Sequence, residues 1–432
     1  KSQVQTTTIH KERWCMKILI AIYWIQDYGG MINHTEQLAA GLKELGHTVD
    51  FKMLVPQKEL RPRKVDYVEK ELYAIGGTGY PYHQKRGWKG VPKVACLDTY
   101  QRNKFIEDCG TYDFVIWQTP VPTQTKPFKG FSEWAEMYDN GTKNVAVIHD
   151  GNMPLLYPHL LLVQHKFCVA ICVHESAFES ARILSIPRML VVNPHHIQPK
   201  ELNGYADREG FAAVQIFKGW KRVDSLIRAI PYMDNRESKI VGGAGIEYRY
   251  MTSKDKCKDK YFNKNGDRIW DVALNSGMLY KGVMLNEKVL ELMGNVKLQI
   301  DPSFSAKYAK HGAHFNRTTV EAMIHGAVPV ATDLGMCNSG IFHKDVNYIE
   351  IPHTSTPVEF ADIIDEALRN KDKWEFIQNN NKTLTSNFDR CVVAERYVNL
   401  ATNKDDCIYQ CSFGSSNQEN RQAAHKRAEY FI

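Results

Sequence analysis

The sequence predicts an α/β protein made of two doubly wound halves that face each other across a cleft. Three observations predict it. Short apolar runs that read as buried parallel strands alternate with amphipathic helical stretches along nearly the whole chain. Polar groups fall just after the strands, at the carboxyl edge where open α/β sheets keep their ligands. The alternation also restarts past residue 210, after a polar, irregular stretch at Pro199–Gly210 that reads as a linker.

The 432 residues suffice for two domains. With 43% apolar and 24% charged residues, the composition is that of an ordinary globular protein. Residues 1–15 are polar and Thr-rich, contain no apolar core, and read as a leader or tag and not as a signal peptide. No run of about 18 apolar residues is present, so no membrane span is expected. Net charge is +6, too mild for a dedicated nucleic-acid module. The excess is concentrated at His83–Lys93 and Lys254–Arg268, each a solvated loop or the rim of a cleft that attracts a polyanion. Ten cysteines are present; Cys168 and Cys172, four apart in F-C-V-A-I-C-V, are expected on one buried strand face. Reduced thiols in a cytoplasmic protein are the simplest account. Cys407 and Cys411 lack a second close Cys/His pair, and no metal site is expected.

In chain order, Lys17–Trp24 is a first buried strand that ends at Asp27-Tyr28-Gly29-Gly30. A helix from Asn33 to Leu45 follows, with Leu38, Leu42 and Leu45 on one stripe, and Thr48–Val55 is a second strand. The fingerprint G-x-G-x-x-G is absent there, and Gly77-Thr78-Gly79 opens no helix. Further strands are expected at Phe114–Trp117, Asn144–Ile148, Phe167–Val173 and Met189–Val192, with a helix at Phe131–Tyr138. Two of these strands deliver His149-Asp150 and His174-Glu175-Ser176 at their ends.

The second round begins with strand Phe211–Phe217 and helix Asp224–Ala229. Strand Ser238–Val241 ends in Gly242-Gly243-Ala244-Gly245. After the basic segment come helix Asn286–Met293, strand Val296–Ile300, and F-N-R-T-T-V-E-A-M-I-H-G-A-V-P-V-A-T at Phe315–Thr332. In that stretch Thr318 and Thr319 can cap or open a helix whose first turn holds Glu321, with Gly326 closing it. Ala327–Ala331 is a buried strand, and helices at Val358–Arg369, Lys371–Thr385 and Val392–Leu400 complete the pattern. The halves are therefore drawn at 16–200 and 201–401, with 402–432 a tail or terminal helix.

Several segments in this order resemble the family-4 type glycosyltransferases of the GT-B fold, over roughly Met16–Ala401. Phe217-Lys218-Gly219-Trp220-Lys221-Arg222 resembles the segment with their phosphate-binding basic pair. Val241-Gly242-Gly243-Ala244-Gly245-Ile246-Glu247 is similar to their V-G-x-G-x-x-E turn. Tyr280-Lys281-Gly282-Val283 and Gln299-Ile300-Asp301-Pro302-Ser303 resemble the strand ends that follow. Glu321-Ala322-Met323, with Gly326, Pro329 and Val330, resembles E-A-M-x-x-G-x-P-V with one extra residue before the proline, while Gly29-Gly30 and His149-Asp150 correspond to motifs of the first half. One departure stands out. The family's first glutamate, eight positions before Glu321, is Ala313 here, near His311 and His314.

The resemblance implies two Rossmann-like domains and a retaining transfer of a glucose-like hexose from a UDP-type donor. Lys218 and Lys221, with Arg222 as a substitute, clamp the leaving diphosphate in that reading. Helix starts at Gly29-Gly30 and Thr318-Thr319 add backbone N–H groups. Gly243 and Gly245 shape the donor turn, and Glu321 takes the ribose hydroxyls. His149 contacts the sugar or its developing charge, and Asp150 orients it or meets the acceptor; a structural pair capping the next helix is the rival account. The chain contains no D-x-D, so metal-independent transfer is expected. Phage DNA glycosyltransferases share this general fold, which makes 5-hydroxymethylpyrimidine in duplex DNA one acceptor. A glycan or lipid-linked sugar is a second, and an inactive sugar-nucleotide binder a third reading.

Overall fold

A computed structural model describes residues 15–22, 30–54, 93–94, 99–118, 120, 135–149, 160–197, 201–234, 236–253, 255–303, 317–332 and 341–402. Among these residues, thirteen strands form two wholly parallel sheets. The first contains β1 (Lys17–Ile22), β2 (Thr48–Leu54), β3 (Lys93–Val94), β4 (Phe114–Trp117), β5 (Lys143–Ile148), β6 (Val169–Cys172) and β7 (Arg188–Leu190) in the order β3-β2-β1-β4-β5-β6-β7. The second contains β8 (Phe211–Val214), β9 (Lys239–Gly242), β10 (Met278–Tyr280), β11 (Leu298–Asp301), β12 (Val328–Thr332) and β13 (Ile349–Ile351) in the order β10-β9-β8-β11-β12-β13. Strand order reverses between β1 and β4 in one sheet and between β8 and β11 in the other. Those reversals open the crevices in which doubly wound sheets bind ligands.

Strands β4, β6 and β8 are apolar throughout because both of their faces are covered. Along β1, Ile18 and Ile20 enter one core while Leu19 and Ala21 enter the opposite one. Along β8, Phe211 and Ala213 face one core while Ala212 and Val214 face another. Each of these side chains is buried, which alternation within a continuous apolar run permits only when helices lie on both sides.

The helices are α1 (Gly30–Glu44), α2 (Thr99–Cys109), α3 (Leu160–Val163), α4 (Glu175–Ser180), α5 (Val223–Ala229), α6 (Ile246–Thr252), α7 (Ile269–Asn275), α8 (Asn286–Met293), α9 (Arg317–Ile324), α10 (Pro357–Arg369), α11 (Lys371–Thr385) and α12 (Arg390–Thr402). Helix α10 starts on a capping box: Thr356 accepts from the Glu359 N–H, Glu359 accepts from the Thr356 N–H, and Pro357 occupies the first turn. The last helix returns to the first lobe and lies along α1. The two backbones approach so closely that a Cβ on Gly41 would sit 2.2 Å from the Arg390 carbonyl oxygen. Arg390 pairs with Glu44 beside that contact. A single apolar core joins the lobes, with Val320, Met323, Ile341 and Phe342 among first-lobe residues such as Ile18 and Val145.

Two readings of the sequence change. Cys168 lies before β6 and is exposed, its thiol donating to the Asn144 carbonyl at 3.2 Å, whereas Cys172 is buried. The strand begins two residues later than the apolar run, so Cys168 lies outside it and the two thiols do not share a buried face. Residues 201–210 are mostly exposed, as the polar stretch suggests, yet are fastened to the second lobe. Buried Arg208 donates to the carbonyls of Asn203, Met293, Val296 and His325 and lies over the Trp374 ring. Within the basic segment, the chain is anchored by buried Tyr261 and runs into α7, neither of which the charge run announced. The stretches 1–14, 77–79, 83–92 and 403–432 lie outside the described residues, as does the first half of Phe131–Tyr138.

Candidate functional site at the two carboxyl edges

In the second lobe, the chain leaving β8 makes a 3-10 turn at Gly219–Lys221, and Arg222 closes it in the left-handed region (φ 48°). This turn directs the Lys221 side chain inward, where only 6% of it stays accessible. Burial pushes the Lys221 ammonium down to about 8; Asp301 draws it back up and Lys218 adds to the depression. Lys218 itself is exposed. The Arg222 guanidinium is engaged by Ser225 at 2.8 Å and Asp224 at 3.8 Å.

Asp301 ends β11, beside β8, and is the fixed anion of this crevice. Its Oδ2 accepts from the Thr319 hydroxyl at 2.9 Å, and its Oδ1 accepts from the Ser303 N–H at 3.2 Å. The Ser303 carbonyl in turn accepts from Thr332, at the end of β12, at 2.6 Å. Thr319 is thus inside α9 and spends its hydroxyl on Asp301, and Thr318 is also a helical residue. The helix begins at Arg317, so Glu321 falls in the second turn and not the first. At that position the helix dipole contributes little. A neighbouring cation acts instead: Arg317, one turn earlier, donates Nε–H to Glu321 Oε1 at 3.0 Å. Gly326 then closes α9 with φ 85°; a Cβ there would sit 2.5 Å from Arg208 Nη2.

Gly243 and Gly245 have a different physical reason for being glycine. A Cβ on Gly243 would lie 1.9 Å from the Gln215 carbonyl, and one on Gly245 2.3 Å from that of Phe217. These residues let the turn after β9 pack flat against the chain leaving β8, from which Lys221 hangs. Tyr280 fastens the same turn by donating to the Gly243 carbonyl at 2.6 Å.

The first lobe's edge is built from imidazole rings and side-chain amides. His149, after β5, meets Gln118, after β4, through Nε2 and Oε1 at 2.8 Å. Gln118 is fully buried at the strand-order reversal, and its Nε2 has no partner among the described residues. His34, on α1, packs edge-on against His149 with ring centroids 4.9 Å apart. Its Nδ1 donates to Asn193 Oδ1 at 2.8 Å, and its Nε2 accepts from the Tyr397 hydroxyl at 3.2 Å. That arrangement needs a neutral ring, and burial pushes the imidazole down to about 3. His174 holds the His149 carbonyl through Nε2 at 2.9 Å while its Nδ1 accepts from the Ala177 N–H of α4. Gly30 is the first residue of α1; Gly29 and Asp150 lie outside the described residues, as do Ala313 and its neighbouring histidines.

The two edges meet at Arg317, whose Nη1 donates to the Pro194 carbonyl of the first lobe at 3.1 Å. Of the residues singled out from sequence, the structure gathers Lys221, Thr319 and Glu321 around Asp301 and Arg317, and sets His149 on the facing lobe. It leaves Lys218 on the surface and Arg222 on its own helix. Arg317, Asp301, Gln118 and His34 were not singled out. The i,i+4 spacing of Arg317 and Glu321 was the available signal for the first.

No protein-family model and no curated protein sequence matches the chain. Solved structures do. HepE of Anabaena, in complex with UDP and glucose, is similar with a TM-score of 0.61 at 16% identity, covering 89% of this chain and 98% of that one. The fold is GT-B. A second GT-B structure, an alpha-glucosyltransferase in complex with UDP-glucose and DNA containing an abasic site, is similar at TM-score 0.62 and 13% identity, covering 90% of this chain and all of its own. Lipopolysaccharide outer core galactosyltransferase WaaB is similar at TM-score 0.56 and 13% identity, covering 89% of this chain and 99% of its own. Among the described residues of this GT-B chain, no helix is long and apolar enough to cross a membrane.

Proposed function

We propose that this protein is a retaining glycosyltransferase that moves a hexose from a UDP-type sugar nucleotide to an acceptor hydroxyl without a metal ion. The observation that carries the proposal is a buried cation, Lys221, beside Asp301 in the crevice at the β8/β11 reversal. Glu321 lies on the helix that Thr319 ties to the same aspartate. An ammonium already stripped of water is worth most where negative charge develops on the leaving diphosphate. Lys218, at the mouth of the same turn, adds a second cation. Glu321 accepts from the ribose hydroxyls, and the start of α9 offers backbone N–H groups.

In this reading the C–O bond from the anomeric carbon to the diphosphate breaks with its electron pair leaving on UDP. The acceptor oxygen attacks the same face, and its proton passes to the departing phosphate oxygen. His149, held by Gln118, hydrogen-bonds the sugar, and Asp150 meets the acceptor. The structural similarity to enzymes crystallised with UDP or UDP-glucose supports the donor class. A cytoplasmic setting belongs to the same proposal.

For the acceptor we infer 5-hydroxymethylpyrimidine in duplex DNA, supported by the similarity to an alpha-glucosyltransferase in complex with DNA and by the two basic segments. One observation favours a glycan or lipid-linked sugar instead. In the segment 255–268, Lys260 pairs with Glu247, Lys258 lies over the Tyr250 ring, and Arg268 pairs with Asp271. Cations committed within the lobe are poorer contacts for phosphates. The experiment is to add radiolabelled UDP-sugars singly to hydroxymethylated DNA and to simple glycans at two salt concentrations. Label on DNA that declines steeply with salt supports the first acceptor. Salt-indifferent label on a glycan supports the second. UDP binding with no label on either acceptor makes the protein a binder and ends the enzymatic proposal.

A further inference from the structure

Both passages of the chain between the lobes run side by side. The outgoing one follows β7 through Asn193-Pro194-His195, and the returning one enters α12 through Phe388-Asp389-Arg390. They pair as parallel backbone: the His195 N–H donates to the Phe388 carbonyl at 2.8 Å, and the Arg390 N–H donates to the His195 carbonyl at 2.8 Å. Arg317 reaches this crossing from the second lobe. Its side chain is 12% accessible, that of Glu321 is 7% accessible, and the guanidinium spans the two contacts already described, Glu321 Oε1 and the Pro194 carbonyl. The other carboxylate oxygen of Glu321 has no protein partner among the described residues and is the acceptor left for a ligand hydroxyl.

We propose that Arg317 is a positioning residue that balances the charge of the Glu321 carboxylate and aims it at the ribose, braced against the first lobe through the Pro194 carbonyl. The inference rests on the reading of Glu321 as the ribose contact. Burial alone disfavours a carboxylate at Glu321 and pushes its ionisation upward, and the adjacent guanidinium pulls it back. Among the described residues, the other charged and titratable groups around the pair are few. Glu36 and His34 face it from α1, His195 from the crossing, and His325 one turn further on. His34 and His195 are both held far below neutrality by burial and carry no charge there. Arg317 is therefore the cation that lets a buried carboxylate accept hydroxyl hydrogen bonds at neutral pH. A planar fork can serve two acceptors at once, whereas an ammonium at the end of a lysine cannot reach both in the same geometry.

The test is UDP affinity by calorimetry from pH 5 to 8 for the wild type and for Arg317→Met, Arg317→Lys, Glu321→Gln and the Arg317→Met/Glu321→Gln double variant, each checked for folding by circular dichroism. UDP's own ionisation is common to all and drops out of the comparison. In Arg317→Met the loss of affinity at low pH should begin about one pH unit or more higher than in wild type. Arg317→Lys should keep the wild-type onset but bind UDP several-fold more weakly at every pH, having lost the brace. In the Glu321→Gln background, adding Arg317→Met should leave the pH profile unchanged. Should Arg317→Met not fold, Arg317→Gln carries the same prediction. A uniform loss across the pH range in the Met variant, the same onset shift in the Glu321→Gln background, or full affinity in the Lys variant would each overturn the proposal. Wild-type UDP affinity in Glu321→Gln alone would instead remove the ribose reading itself.

Discussion

The two lobes share a connectivity but differ in what they place at the carboxyl edge. At the β4/β5 edge of the first lobe, Gln118, His149, His34 and Asn193 form a network of rings and amides in which burial keeps the His34 imidazole neutral. At the β8/β11 edge of the second, Lys221, Asp301, Arg317 and Glu321 are charged groups buried beside one another. Burial is the common condition and disfavours charge at both edges; what differs is the neighbours. The His34 imidazole answers desolvation by giving up its proton, whereas Lys221 is drawn back up by Asp301 to about 8 and Glu321 is paired with Arg317. Under the proposed function, the same architecture gives one edge to sugar hydroxyls and the other to a diphosphate and its ribose.

This contrast can be broken from the charged side first. Lys221→Ala should cut the rate of sugar transfer about 10²–10³-fold, as loss of one preorganised donor to a developing anion does; single-turnover measurements would show it, and an unchanged rate would place the diphosphate elsewhere. Glu321→Gln should weaken UDP binding roughly 10–100-fold, the range for a hydrogen bond to a charged acceptor, by calorimetry. A pH series sharpens the same point. The Lys221 ammonium titrates near 8, depressed from its ordinary value, so the cation is present below that pH and lost above it. Wild-type UDP affinity should decline as pH rises through about 8, and Lys221→Ala should lack that decline. On the neutral side the effects are smaller: His149→Gln should lower kcat/KM only about five- to tenfold, the scale of one neutral hydrogen bond. Smallest for chemistry is Gly41→Ala, far from both edges. Its Cβ meets the Arg390 backbone, so it should cost about 1–3 kcal/mol in denaturant unfolding, with UDP affinity retained.

The strands were legible in the sequence because a parallel strand covered on both faces needs an unbroken apolar run. Phe114–Trp117 and helix Asn286–Met293 were read to the residue, and most other ends to within two or three. Three kinds of feature escaped. Strand β13 is only three residues long, and α7 follows a run of charge that reads as loop. The Cys168 error came from treating an apolar run as coextensive with its strand. At the site, Glu321 was found by its resemblance to a motif, but its partner was not, because an i,i+4 ion pair on a helix is usually a solvated surface contact of small worth. Only tertiary burial makes Arg317 different. Asp301 was within a quoted motif yet had no stated role, since its meaning depends on Lys221 and Thr319 converging from 80 residues before and 18 residues after it.

The return of α12 to α1 bears on how the chain is made. The first lobe's strands leave the ribosome early, yet the groove beside Gly41 and the hydrogen-bond acceptor His34 offers Tyr397 are filled only by the last helix described. Until that helix has been synthesised, one flank of the lobe that emerged first stands open to solvent, so neither lobe is finished before the other.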